Sequence, residues 1–472
     1  MSLSALPPEL LLEIVDYLTT SKGICAFAMA NRCLHTLLHR CPIRFNVKHG
    51  SSSGLKWAAR YSRLDLAEAF LDNGADVNAE KLESHPKEKI IWTRQQEWDD
   101  KLPNGIKRRA PIKYHKNSTP LHFAAINGDY KMVKLLLQSG ANVNSMDDRN
   151  RTPLQFAAYN RHLIVTYLLL EGGAYVDGLK DSEHLRFEDE ETPLTQATWH
   201  GNKEMIELLI SAGADPNLWG IGHSPPIIWA IMCRNLSITK MLIDKGGSLT
   251  VQAVADPPTP LHAAAYYSDE EMINMLLDHG ANVDQKSFGG TTPLFSAVDR
   301  GCEKVVKFLL EKGAEPNHRD NRDRTPLFNA VNCGHETIFD LLVKRGADTS
   351  HRGLLLLAIT QRHESIVKKL LDLGSDPNAR RSSEAYTPLH LAIHYGYTSI
   401  AKMLVDFKAD IDAVADLIHR ETPLSMAIVE DREEIALMLV KSGANTGDMK
   451  GARWLRFRER YKDELAGYIP QS

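Results

Sequence analysis

The chain has 472 residues, 43% of them apolar, 25% charged and only 7% aromatic, the balance of an ordinary soluble protein packed through small side chains. Its 60 acidic and 56 basic residues give a formal charge of −4, so the chain is not polybasic and nucleic acid is not an expected partner. The six cysteines include no Cys-x-x-Cys pair, which favours a reducing compartment over a disulfide scaffold. The apolar run Leu354 to Ile359, like every other in the chain, is far short of the roughly 20 residues of a membrane span.

Residues 1–45 form the first unit. They lack the basic start of a secretion signal and carry Pro, Glu and Asp inside the apolar stretch, so a cytoplasmic and/or nuclear location is expected. After Pro7-Pro8, the residues Leu10, Leu11, Ile14 and Leu18 make one apolar stripe at helical spacing. A polar break at Thr19 to Gly23 precedes Ile24 to Ala30, and Leu34, Leu37, Leu38 and Cys41 mark a third short piece. Three short helices in about 40 residues hold together poorly alone and call for a partner. Cys25, Cys33 and Cys41 read as small core residues. Residues 46–53 read as a linker.

The run Leu6-Pro7-Pro8-Glu9-Leu10-Leu11, continued by Ile14 and Leu18, resembles the start of an F-box. Ala30 to Leu38 resembles the third F-box helix of fungal proteins, although the Trp often found after the Arg is absent. The resemblance implies docking on the Skp-type adaptor of a cullin–RING ubiquitin ligase, mapped onto Leu6, Pro7, Leu10, Leu11, Ile14 and Leu18. The rest of the chain would then capture a protein substrate. The other reading of residues 1–45 is a helical cap on the end of a solenoid.

From residue 54 to 450 two markers repeat in one register. Gly-Ala follows a Leu-rich run at Gly74, Gly140, Gly173, Gly213, Gly280, Gly313, Gly346 and Gly443, and Thr-Pro-Leu recurs from Thr119 to Thr422, mostly at intervals of 33 to 35 residues. Within one period, Thr119 suits an N-cap and Pro120 the first helical turn. Leu121, Ala124 and Ala125 give a short helix that Asn127-Gly128 ends, and Met132 to Leu137 gives a second that Gly140 stops. The unit is helix, turn, helix and hairpin loop, able to bury its apolar face only when stacked. Thr119 to Gly128 with Leu135 to Asn144 resembles an ankyrin repeat, and about eleven copies are counted. The expected fold class is therefore all-α: an ankyrin-repeat solenoid behind a small three-helix module.

Three departures stand out. Residues 79–117 read as an inserted finger loop of net charge +4, and residues 180–190 enlarge another finger with net charge −3. The repeat at Gly353 is five residues short, so a bend or notch is expected there.

Ankyrin arrays present their finger tips and the inner face of their first helices, which the resemblance implies as the recognition surface. The helix positions after the Ala-Ala pair include Tyr159, Trp199, His200, Tyr266, Tyr267, His394 and Tyr395. Tyr and Trp are frequent anchors of interaction hot spots, and these seven are the candidate partner-binding residues. A bland alternative has some of them lying flat on the neighbouring helix.

Residues 451–472 carry Trp454, Phe457, Tyr461, Leu465 and Tyr468 at helical spacing, which predicts one amphipathic helix capping the last repeat. No Gly-rich phosphate loop or nucleophile constellation is found. The pairs His35/His39 and His390/His394 lack the Glu of a His-Glu-x-x-His site, so no metal, cofactor or catalytic residue is expected. The reading that results is a non-enzymatic substrate-recognition adaptor of a Skp–cullin–F-box ubiquitin ligase, monomeric apart from the adaptor, with no nucleic-acid or membrane partner. The alternative is an ankyrin scaffold or inhibitor with no ligase role.

Overall fold

The computed structural model describes residues 53–79, 117–178, 191–218, 224–250, 258–350, 353–380, 386–415, 421–447, 449 and 451–468. The F-box-like segment, and with it Leu6, Pro7, Leu10, Leu11, Ile14 and Leu18, lies outside the described residues, as does almost all of the two inserted fingers. Among the described residues every regular element is a helix, 24 in all.

The chain divides into two compact units, residues 1–257 and 258–472. The described residues of the first contain five helix pairs, whose leading helices are Ser53–Arg60, Pro120–Asn127, Pro153–Tyr159, Pro193–Trp199 and Pro226–Met232. Their partners are Leu64–Asp72, Tyr130–Gln138, Leu163–Glu171, Lys203–Ser211 and Leu236–Asp244. The second contains six pairs, led by Pro260–Tyr266, Pro293–Arg300, Pro326–Cys333, Gly353–Thr360, Pro388–His394 and Pro423–Val429. These six are followed by Glu270–Asp278, Glu303–Glu311, Glu336–Lys344, Glu364–Asp372, Thr398–Asp406 and Glu433–Lys441.

The leading helices start as the Thr-Pro signal requires. Thr152 is extended at φ −94° and ψ 160°, and its hydroxyl oxygen accepts the Gln155 N–H. Pro153 then fills the first turn, where its missing N–H costs nothing. The two helices of a pair join through a left-handed residue. Gly128 has φ +72°, and a Cβ there would sit 2.4 Å from the His162 ring. That ring lies against the glycine because His162 Nε2 donates to the Ile126 carbonyl at 3.0 Å, tying one repeat to the one before. The second helices are amphipathic: Met132, Val133 and Leu136 are fully buried while Lys131 and Lys134 face solvent.

Several repeats are also stitched to the next at the finger. Asn144 Nδ2 donates to the Gly173 carbonyl at 3.1 Å, and its Oδ1 accepts the Tyr175 N–H at 2.8 Å. Asn78, Asn217 and Asn317 bridge to Gly140, Gly246 and Gly346 in the same way.

Residues 451–468 correct the sequence reading. Two helices, Ala452–Arg460 and Lys462–Leu465, replace the single one expected, because the backbone leaves the helical region at Tyr461 (φ −104°, ψ 24°). Trp454, Phe457 and Leu465 are buried, and Tyr468 is exposed. The break is held by polar contacts to the last repeat: Tyr461 Oη donates to Glu433 Oε2 at 2.8 Å, Arg460 pairs with Glu433, and Lys441 pairs with Glu464 at 2.9 Å.

Candidate interaction surface

The leading helices that begin with Pro are almost wholly buried along their first six residues, so mainly their C-terminal ends reach solvent. Those ends carry the candidate residues, three in the first unit and four in the second.

In the first unit Tyr159, Trp199 and His200 are half-buried rather than open. The Tyr159 and His200 rings meet edge to face at 5.1 Å, and Arg161 Nη2 lies 3.3 Å from His200 Nδ1. Trp199 packs on Trp229 of the following repeat with ring centroids 4.5 Å apart. Trp199 therefore lies against its neighbour and is partly open to solvent. The structure adds Trp229, which sequence reasoning missed. Trp229 is the fourth residue of its helix, a place that Phe123 and Phe156 fill as buried core, so its type alone gave no signal. The Trp229 indole Nε1 is buried without a hydrogen-bond partner. Cys233 beside this pair has its thiol pushed up by burial, which makes it a poor nucleophile.

In the second unit Tyr266 is 45% exposed, with the Tyr267 ring edge-on at 5.4 Å and the Arg300 guanidinium 5.6 Å above its centroid. Tyr395 is 41% exposed and stacks on Tyr397 at 5.5 Å, while Arg362 lies 5.3 Å over Tyr397. His394 Nδ1 is 2.9 Å from Glu430 Oε1, and Arg432 Nη2 donates to the His394 carbonyl at 3.0 Å. Each cation–π contact is a modest stabiliser at such exposed sites, about 0.5–1 kcal/mol, but it pre-orients the ring. A separate crevice of ≈ 500 Å3 lies at the shortened finger, lined by Thr349, Ser350, Leu355, Leu373 and Arg380.

His390 does not join His394. It is fully buried, and its pKa is lowered to about 4 by burial. Its Nε2 donates to the Glu421 carbonyl at 3.3 Å, so it is a structural residue. No group of three or more metal-ligating side chains exists among the described residues. No described helix is long and apolar enough to cross a membrane.

Repeated helix pairs of this geometry, with a Thr-Pro entry and a stitched finger, define an interaction scaffold. Comparison with known proteins gives its class. The family described as "Ankyrin repeats (3 copies)" matches residues 102–180, 121–219, 227–320, 289–353, 317–381 and 354–450. A second description, "Ankyrin repeats (many copies)", matches residues 200–243. The chain belongs to the ankyrin-repeat family.

Among curated proteins, the chain is 33% identical over 105 residues to a putative ankyrin repeat protein of Rickettsia felis, covering 20% of this chain and 46% of that one. It is 30% identical over 99 residues to human ankyrin repeat and SOCS box protein 11, covering 21% and 30%. The chain spans less than half the length of these relatives. The crystal structure of the human ASB11 ankyrin repeat domain is similar at 26% identity and a TM-score of 0.40, over 49% of this chain and 99% of that one. Ankyrin repeats suggest a protein–protein interaction role for this array.

Proposed function

We propose that the chain is a substrate-recognition adaptor of a Skp–cullin–F-box ubiquitin ligase, and that it has no enzymatic activity of its own. The observation that carries the reading is the N-terminal run Leu6-Pro7-Pro8-Glu9-Leu10-Leu11 with Ile14 and Leu18, joined to an interaction array. Leu6, Pro7, Leu10, Leu11, Ile14 and Leu18 would dock on the Skp-type adaptor. The half-buried Tyr159, Trp199, His200 and Tyr267 and the exposed Tyr266, His394 and Tyr395 would contact the protein substrate. Rings already held by neighbours lose little side-chain freedom on binding, which suits them as anchors. An ankyrin array combined with a second short module is also the arrangement that the names of the SOCS box relatives describe.

Co-purification of the full chain with a Skp-type adaptor, beside a Leu10→Asp/Ile14→Asp variant, tests the reading. A stable 1:1 complex lost in the variant is expected. Absence of a complex with a folded wild-type array overturns it and leaves a scaffold or inhibitor.

A further inference from the structure

In the second helix of each pair, the second and fifth residues project outward. In ten of the eleven described second helices at least one of the two is charged. The helix Leu163–Glu171 is the exception. Its sequence is apolar or uncharged up to Glu171, its outward residues are Ile164 and Tyr167, and these are 62% and 50% exposed. Leu163, at 38%, widens the patch. A surface helix that is apolar on both faces signals a covered surface.

The flanking helices say what covers it. In the order of the first unit, the outward pairs are Asp65 and Glu68, Lys131 and Lys134, Ile164 and Tyr167, Glu204 and Glu207, then Ser237 and Lys240. All ten side chains belong to exposed residues. Across the helices, the rows are acidic, basic, apolar, acidic and basic. The sequence of signs inverts about the apolar row.

We infer that this outer face of the first unit pairs with the same face of a second copy of the chain, making a two-fold homodimer centred on Ile164 and Tyr167. A two-fold axis lying in the contact plane along Leu163–Glu171 carries each row to the opposite side of that helix. Ile164 and Tyr167 then meet their own counterparts. Lys131 and Lys134 of one copy meet Glu204 and Glu207 of the other, and Asp65 and Glu68 meet Lys240. An axis across the helices would set lysine against lysine, so the charges select the parallel arrangement. Five outer helices about 10 Å apart and about 13 Å long offer roughly 600 Å2 per copy. Two copies would bury about 1,200 Å2, the lower edge of the range for specific complexes. This replaces the expectation of a monomer, and it is independent of the F-box reading, since none of these residues lies in 1–45.

Sedimentation velocity of the full chain at tens of micromolar and low salt tests the inference. Twice the 52.8 kDa chain mass is expected. Ile164→Asp/Tyr167→Lys should give the monomer with unchanged helical content. Lys131→Glu/Lys134→Glu and Glu204→Lys/Glu207→Lys should each weaken self-association at least tenfold. An equimolar mixture of those two variants should recover a 1:1 dimer. A monomeric wild type, or a dimer that all three variants leave intact, overturns the inference.

Discussion

Gln155 occupies, one repeat on, the place that His122 holds in its own, and makes the same two hydrogen bonds. The Thr119 N–H donates to His122 Nδ1 at 3.0 Å, and His122 Nε2 donates to the Arg151 carbonyl at 2.9 Å. In the next repeat the Thr152 N–H donates to Gln155 Oε1 at 2.7 Å, and Gln155 Nε2 donates to the Glu191 carbonyl at 3.1 Å. One side chain thus accepts from its own helix cap and donates to the next. Only a neutral imidazole can do both, and burial accordingly lowers the His122 pKa to about 4.

Acid should therefore loosen the first unit through His122. With a folded pKa of about 4 against an ordinary 6.5, the unfolded chain binds the extra proton between those values. The contribution is complete above about pH 6.5 and is lost as the pH falls towards 4. It amounts to about 2 kcal/mol between pH 7.5 and pH 5. His122→Gln should fold, because Gln155 shows that the amide fits, and should remove that part of the acid sensitivity. Urea unfolding of both proteins at the two pH values checks this. A variant that loses as much stability as the wild type contradicts it.

Asp177 breaks the asparagine stitch. Its Oδ1 accepts the Asp215 N–H at 3.3 Å, but it has no amide to donate as Asn144 does. Burial, reinforced by the Asp215 carboxylate, raises its pKa to about 6. A raised carboxyl pKa means that the folded chain binds more protons, so this site loses stability as the pH climbs from about 4 to 6. Asp177→Asn should stabilise the protein at pH 7.5 by about 1 kcal/mol, allowing for partial solvent screening, with little gain at pH 4. Thermal melts at both pH values measure the difference.

Gly128 is one of the glycines whose replacement the neighbouring repeat opposes. Gly128→Ala puts a Cβ 2.4 Å from the His162 ring at a φ of +72°. The ring must leave, and its bond to the Ile126 carbonyl breaks. A loss of about 2–3 kcal/mol is expected from backbone strain and the broken bond together. Pairing the change with His162→Ala should recover part of it, since the clash disappears. An additive double variant refutes the mechanism.

The repeats were legible because each is written by local chemistry: a Thr-Pro entry, a small-residue helix, a left-handed turn and a Leu-rich helix. Side-chain placement between repeats was not. Trp229 has the address of the buried Phe123 and Phe156, yet it is half-buried and packs on the neighbouring Trp199 ring. The break at Tyr461 is equally invisible in the spacing of Trp454, Phe457 and Leu465, because Glu433 on another helix holds it. Likewise the charge order of the outer faces emerges only when helices distant in sequence lie side by side. Periodicity reports which face is buried, and tertiary neighbours decide what the other face does.

The C-terminal helices should protect the last repeat locally. Ala452–Arg460 packs on Pro423–Val429, and Lys462–Leu465 packs on Glu433–Lys441. Trp454 is 5% exposed, stacked with Phe457 at a centroid distance of 5.8 Å. Trp454→Ala should cost about 3 kcal/mol through lost burial and a residual cavity. In a repeat array, stability is a sum of units and nearest-neighbour interfaces, so the loss falls mainly where the interface was. Amide exchange should quicken in Glu433–Lys441 and stay unchanged in Glu303–Glu311, four repeats earlier. Uniform acceleration across both helices would mean that the second unit opens as one cooperative block and that these helices serve all of it.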